Sequence, residues 1–69
     1  MFIEFAENLI NLNNVSYITY EAVEYHGSVI YTVKVIFSHE TSITESFSTQ
    51  DAMLCEYEAL SNLLLKNAN

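Results

Sequence analysis

The segment 29–38 alternates so strictly that it limits the possible fold more than any other part of the sequence. One set of alternate positions is apolar throughout, and it consists of Val29, Tyr31, Val33, Val35 and Phe37. A period of two predicts a β-strand with two different faces. The preceding segment 15–25 is rich in β-branched and aromatic residues, which favours a second strand. Gly27, the only glycine, lies between them and supplies a position for positive φ, so the two segments are predicted to form a hairpin.

Three shorter segments, 2–6, 9–12 and 41–47, also have strand patterns. They are separated from their neighbours by turn signals at Glu7-Asn8, Asn13-Asn14 and His39-Glu40. In 41–47 one face is small and polar, as expected for a face that contacts water. Because all the connections are short, the simplest arrangement of these strands is an antiparallel meander.

Residues 49–66 are predicted to form a helix. Ser48 is the expected N-cap, and Asp51 completes a variant of the capping box. Lys66 lies near the C-terminus, where the helix dipole favours a cation, and residues 67–69 are expected to fray. The apolar stripe of the helix is broad, since further apolar residues flank its central positions. The stripe comprises Met53, Tyr57, Leu60 and Leu64, flanked by Leu54, Cys55, Leu63 and Leu65.

These patterns predict a single α+β domain over residues 1–69, with three to five antiparallel strands in a meander and one C-terminal helix packed on the sheet. A domain this small buries only about 60% of its unfolded surface, so a further source of stability, such as a disulfide, a metal or a partner subunit, is expected as a staple. Cys55 is the only cysteine, which excludes an intrachain disulfide. With His26 and His39 it gives three scattered ligands, fewer than a structural zinc site needs. Self-association, most simply a dimer, is therefore the expected staple.

The charge balance restricts the possible partners. Nine acidic residues face two lysines, for a net charge of −7, and the chain has no arginine. Binding to phosphate backbones and anionic lipids requires Lys and Arg, so direct binding of nucleic acid or membranes is not expected. Attraction to basic protein surfaces is expected instead. No apolar run is long enough to span a bilayer, and the N-terminus lacks the basic region of a signal peptide. Together with the lone cysteine, these features predict a cytoplasmic protein.

No constellation for catalysis or cofactor binding is visible, so a non-enzymatic protein without cofactors or metal is predicted. Cys55 is expected to be a buried thiol within the helix. The two histidines lie at opposite ends of the strand 29–38, about 30 Å apart at ~3.3 Å per residue, and cannot share a site. Glu21 and Glu24 are expected to point to opposite faces of their strand. No glycine-rich loop is present to hold a phosphate.

Five tyrosines in so short a chain indicate either an interface or cross-strand packing, and both interpretations stay open. If Tyr31 lies in the core, an apolar strip is expected on the outer sheet face, with a second apolar surface on the back of the helix. An acidic rim would surround both surfaces. The predicted interface residues are Ile18, Tyr20, Ile30 and Ile36 in the strip, Leu54 on the helix, and Glu21, Glu24 and Glu58 in the rim.

The functional expectation is a protein-binding module, an acidic inhibitor that engages the basic surface of a nucleic-acid-binding target. In size and charge the chain is similar to small acidic phage proteins that block host defence nucleases, such as anti-CRISPR proteins. The alternative is a homo-oligomeric structural or accessory domain whose charge serves solubility. A small-ligand or catalytic domain ranks lowest, because polar side chains do not cluster.

Overall fold

The computed structural model describes residues 1–68 and contains two antiparallel sheets and one long helix. Strands β1 (Phe2–Phe5) and β2 (Asn8–Asn11) form a two-stranded sheet. A 3-10 turn over Leu12–Asn14 leads into the second sheet. That sheet is a meander in the order β3-β4-β5, followed by helix α1, with bounds β3 (Val15–Tyr25), β4 (Ser28–Phe37), β5 (Ser42–Phe47) and α1 (Gln50–Ala68). The predicted α+β fold, a meander closed by a C-terminal helix, is therefore confirmed.

The core lies between the helix and one face of the meander. Val33 and Val35 of β4 have no exposed surface, and the small hairpin β1–β2 covers the same core from one end. Because no element contributes more than two buried side chains, the core is small and depends on every one of them. The buried residues are Phe5, Ile10, Leu12, Val33, Val35, Met53 and Leu60.

The hairpin between β3 and β4 closes through a two-residue loop. Tyr25 pairs with Ser28, and the loop residues His26 and Gly27 have φ values of 51° and 79°. Positive φ at both central positions is the requirement of a type I′ turn, whose twist matches that of the flanking strands. Gly27 meets this requirement without a steric penalty. The predicted hairpin around Gly27 is present.

Two other turns adopt positive φ without glycine. Ala6 and Glu7 connect β1 to β2 with φ values of 50° and 65°, and Glu40 connects β4 to β5 with a φ of 71°. The Glu40 N–H donates to the carbonyl of Phe37 at 3.0 Å, and the Phe37 N–H donates to the carbonyl of Thr41 at 2.9 Å. Left-handed conformation costs an L-residue roughly 1–2 kcal/mol. These turns therefore store strain.

The N-cap of the helix lies one residue later than predicted. The Thr49 hydroxyl accepts a hydrogen bond from the Ala52 N–H at 3.2 Å, so Thr49 is the N-cap and the prediction of Ser48 is wrong. The capping box fails with it, because the third helical position is now Ala52. Asp51 still lies in the first turn, where the dipole favours an anion.

The far end of the helix is held by a side-chain contact rather than frayed at residue 67. The Asn67 side-chain amide donates to Asn13 Oδ1 at 2.8 Å, and Asn67 Oδ1 accepts from the Met1 amine at 3.4 Å. These bonds tie the last turn to the 3-10 segment and to the N-terminus, so the helix continues past Lys66. Asn69, also predicted to fray, lies outside the described residues.

Candidate protein interface

The register of the β3–β4 hairpin decides which side chains face the helix. Directly paired residues share a face, and Tyr20 pairs with Val33 while Ile18 pairs with Val35. Since both valines are buried beneath the helix, Ile18 and Tyr20 also face the helix. The Tyr20 ring meets the ring of Tyr57 edge-on, with centroids 4.6 Å apart and planes at 66°. The predicted outward orientation of Ile18 and Tyr20 is therefore wrong.

The physical reason for this correction is the length of the loop. From the loop as far as the bulge at Val15–Tyr17, the two-residue loop pairs each odd-numbered residue of β4 with an even-numbered residue of β3. The predicted outer strip placed Ile18 and Tyr20 on the same face as Ile30 and Ile36, which would require the opposite parity. One residue of difference in the loop moves a whole strand's side chains to the other face.

The outer face of the meander, away from the helix, carries a mixed set of aromatic, aliphatic and hydroxyl side chains. Ile30 and Ile36 do lie on this face, with Ile30 exposed and Ile36 half-buried. Lys34 lies between Thr19 of β3 and Thr44 of β5. The remaining outer-face residues are Tyr17, Glu21, Val23, Tyr25, Ser28, Thr32, Ser42 and Ser46.

The outer half of the β3–β4 hairpin projects beyond the rest of the sheet. Strand β5 ends at Phe47, which pairs with Tyr31, so the hairpin continues past this point as a ribbon of two strands. Every residue from 21 to 30 is exposed, and this segment is called the hairpin arm below. Its large apolar residues with their exposed fractions are Val23 (44%), Tyr25 (61%), Val29 (45%) and Ile30 (37%).

The arm has apolar residues on both of its faces and carries two acids. Val23 and Ile30 pair on the outer face, whereas Val29 pairs with Glu24 on the opposite face; Glu21 lies on the outer face. The arm contains no lysine or arginine. An isolated two-stranded ribbon is marginally stable in water, and its contiguous exposed apolar residues make the arm a candidate contact surface.

The interface predicted from the sequence included Glu21, Glu24 and Ile30 but lacked three arm residues, Val23, Tyr25 and Val29. Their exposure follows from the different lengths of the strands. The predicted segment 41–47 is shorter than 29–38, so the tip of the long hairpin had to remain without a third strand. That difference in length was the available signal.

The back of the helix is less apolar than the sequence indicated. Leu54 packs against the core as a partly buried residue, so its predicted place on an exposed helix face is wrong. It follows Met53 by about 100° around the helix, which puts it on the flank of the buried stripe. Cys55 is exposed, contrary to the predicted buried thiol, and Glu58 is exposed beside it. Leu65, at 65% exposure, is the large apolar side chain on this surface.

The potential metal ligands among the described residues are dispersed. No cluster of three or more His, Cys, Asp or Glu that could hold a metal ion occurs within residues 1–68. Glu21 and Glu24 point to opposite faces of the arm and do not converge. Across the same residues, no helix combines the length and apolarity that crossing a membrane requires.

Comparison with known proteins adds no functional information. No family model, no curated protein and no solved structure matches the chain.

The two faces of β3 lead us to expect different losses of stability when two of its tyrosines are truncated. Tyr20→Ala removes the ring contact with Tyr57 and is expected to lower the free energy of unfolding by about 1.5 kcal/mol. Tyr17→Ala, on the uncovered outer face, is expected to change it by less than about 0.5 kcal/mol. Urea denaturation followed by circular dichroism measures both values. A larger cost for Tyr17→Ala than for Tyr20→Ala would mean that the faces are reversed.

Proposed function

We propose that the chain is a non-enzymatic protein-binding module, an acidic inhibitor that engages the basic surface of a nucleic-acid-binding protein. The observation that carries this proposal is the hairpin arm, where exposed apolar side chains and two carboxylates project together from a segment that contains no lysine or arginine. The proposed contact surface is the arm together with the adjoining outer face around Ile36. Tyr20 and Ile18, which face the helix, support this surface from behind.

The arm supplies both of the terms that binding requires. Burial of apolar area is worth roughly 25 cal/mol per Å², and Tyr25 offers a large ring with a polar tip at low entropic cost. Glu21 and Glu24 add charge at the same place and on both faces. Apolar area provides affinity, while the carboxylates steer the encounter and select a basic partner.

Nucleic-acid-binding proteins are the class of partner that fits the charge best. Their phosphate-binding sites concentrate Lys and Arg, and a chain of net charge −7 is attracted to such a site. A protein bound there excludes the phosphate backbone, which makes it an inhibitor. A phage anti-defence protein, anti-CRISPR-like in character, is one such case. The exposed free thiol of Cys55 fits a reducing compartment such as the cytoplasm.

A homo-oligomeric accessory domain is the second candidate, and the apolar residues of the arm are the observation that favours it. A second copy would cover Val23, Tyr25, Val29 and Ile30 equally well. It would also bring two net charges of −7 together, which opposes association. Sedimentation of the purified chain over a wide concentration range separates the candidates, because a self-associating chain increases in mass as its concentration rises.

Charge reversal in the arm tests the proposal. Partners are captured from the source organism on the immobilised chain, and the strongest one is purified for affinity measurements. Glu21→Lys with Glu24→Lys is expected to weaken its binding at least about tenfold, because both substitutions place cations against a basic surface. Raising the salt concentration is expected to weaken binding of the natural chain.

The matched control changes the net charge equally at a distance from the arm. Glu4→Lys with Glu7→Lys alters two exposed residues of the β1–β2 hairpin and is expected to weaken binding less than about threefold. Equal losses for the two double variants would show that only net charge matters. Undiminished binding by the arm variant would overturn the proposal.

A further inference from the structure

We infer that the free edge of β3 accepts an extended strand of the basic partner, which joins the meander as a fourth strand. This inference rests on the proposed function and specifies its mode of contact. In the order β3-β4-β5, strand β3 is an edge strand over eleven residues. An exposed edge presents unpaired backbone N–H and C=O groups, which are a template for pairing with another chain.

The hydrogen bonds of the hairpin show which backbone groups face the open edge. Thr32 Oγ1 donates to the Glu21 carbonyl at 3.5 Å, so the Glu21 backbone points toward β4. In an antiparallel pair, successive residues alternate between pointing toward the partner strand and pointing away. The backbone groups on the open edge are therefore those of Ile18, Tyr20, Ala22 and Glu24.

The two edges of the meander differ in how well they are protected. The open edge of β5 is only six residues long, and every second residue of this strand is small and polar, namely Ser42, Thr44 and Ser46. Strand β3 has neither proline nor lysine, which are common protections of an edge, and its one bulge lies at the end remote from the arm, between Val15 and Tyr17. A long regular edge rich in aromatic and β-branched residues is the better template.

The acids beside this edge select a basic strand as its occupant. A strand added to β3 places alternate side chains beside Glu21 on the outer face and beside Glu24 on the other face. Lys or Arg on both faces of the incoming strand would meet a carboxylate. A second copy of β3 would instead bring its own glutamates and another net charge of −7.

Amide hydrogen exchange measured by NMR tests the pairing directly. The probe is a blocked peptide with the repeat Val-Val-Lys-Lys, which presents lysines on both faces of an extended strand, added to the ¹⁵N-labelled full chain. Exchange is expected to slow at least about tenfold at the amides of Ile18, Tyr20, Ala22 and Glu24, which have no partner strand in the free chain. The same peptide with N-methyl groups on its pairing edge keeps the charge and is expected to give no protection.

A proline in the edge strand provides the genetic test. Ala22→Pro removes an N–H that points away from β4 and leaves the internal ladder intact, so the circular dichroism spectrum is expected to remain that of the natural chain. Binding of the peptide and of the captured partner is expected to weaken at least about tenfold. Ala22→Val retains the N–H and is the matched control, with natural affinity.

Four outcomes would overturn the inference. Protection spread evenly over the surface would indicate attraction by charge alone. Protection of the edge amides that grows with protein concentration in the absence of peptide would identify a second copy as the occupant. Natural affinity of Ala22→Pro for the captured partner, combined with loss of affinity in the Glu21→Lys, Glu24→Lys variant, would reject strand addition while leaving the proposed function intact. Natural affinity of both variants would reject both.

Discussion

Leu60→Ala is expected to lower the free energy of unfolding by about 3 kcal/mol. Leu60 is 2% exposed and lies in the cluster where the helix meets the meander and the β1–β2 hairpin. Truncation removes the buried isopropyl end of the side chain and leaves a cavity between elements that are held by few other side chains. At roughly 0.05–0.15 kcal/mol per residue, a domain of this size has only several kcal/mol of stability to lose.

Urea denaturation measures this loss, and a leucine of the same helix is the control. Leu65 is 65% exposed, so Leu65→Ala makes the same chemical change with little loss of buried area and is expected to cost less than about 0.5 kcal/mol. Similar costs at the two positions would contradict the packing of the helix on the sheet through Leu60.

Glycine at two strained turn positions is expected to stabilise the fold by about 2 kcal/mol in total. Glu7 and Glu40 have φ values of 65° and 71°, and both side chains are exposed. Glu7 is the second central residue of a turn with positive φ at both positions, and Glu40 ends the turn into β5; glycine is favoured at both kinds of position. Each Glu→Gly change is expected to relieve up to about 2 kcal/mol of strain, and the entropy that glycine gains in the unfolded chain reduces the net gain to about 1 kcal/mol.

The double variant Glu7→Gln, Glu40→Gln separates strain from charge. It removes the same two negative charges and keeps a side chain at each turn, so it is expected to recover less than half of the gain. Thermal unfolding at matched ionic strength compares the two double variants. Equal stabilisation by glutamine and glycine would show that charge repulsion, not backbone strain, limits the stability of the natural chain.

The elements that could be predicted from the sequence are those with a strong period. The alternation of residues 29–38 indicated β4, which the structure places at Ser28–Phe37, and the helix-forming run indicated α1. The positive φ values of Ala6, Glu7 and Glu40 had no signal, because these residue types rarely adopt them. The pairing of the strands on either side imposes these backbone conformations on the turns.

The candidate site was predictable only in part, because sheet faces depend on loop length. The outer-face positions of Ile30 and Ile36 followed from the period of β4 alone. The faces of Ile18 and Tyr20 depended on which residues of β3 pair with the inward-facing residues of β4. The two-residue loop shifts this pairing by one residue from the pairing that the sequence analysis assumed. Leu54 was misplaced because a broad apolar stripe does not reveal where its buried centre lies.

The most direct test of the hairpin arm as the contact surface is an NMR titration of the ¹⁵N-labelled chain with its purified partner. We expect the largest amide shift changes to cluster in residues 21–30 and along the adjoining edge of β3. The amides on the exposed back of the helix, around Cys55 and Glu58, are expected to remain unchanged. Shift changes centred on the helix, with the arm unaffected, would contradict the assignment of the hairpin arm as the contact surface.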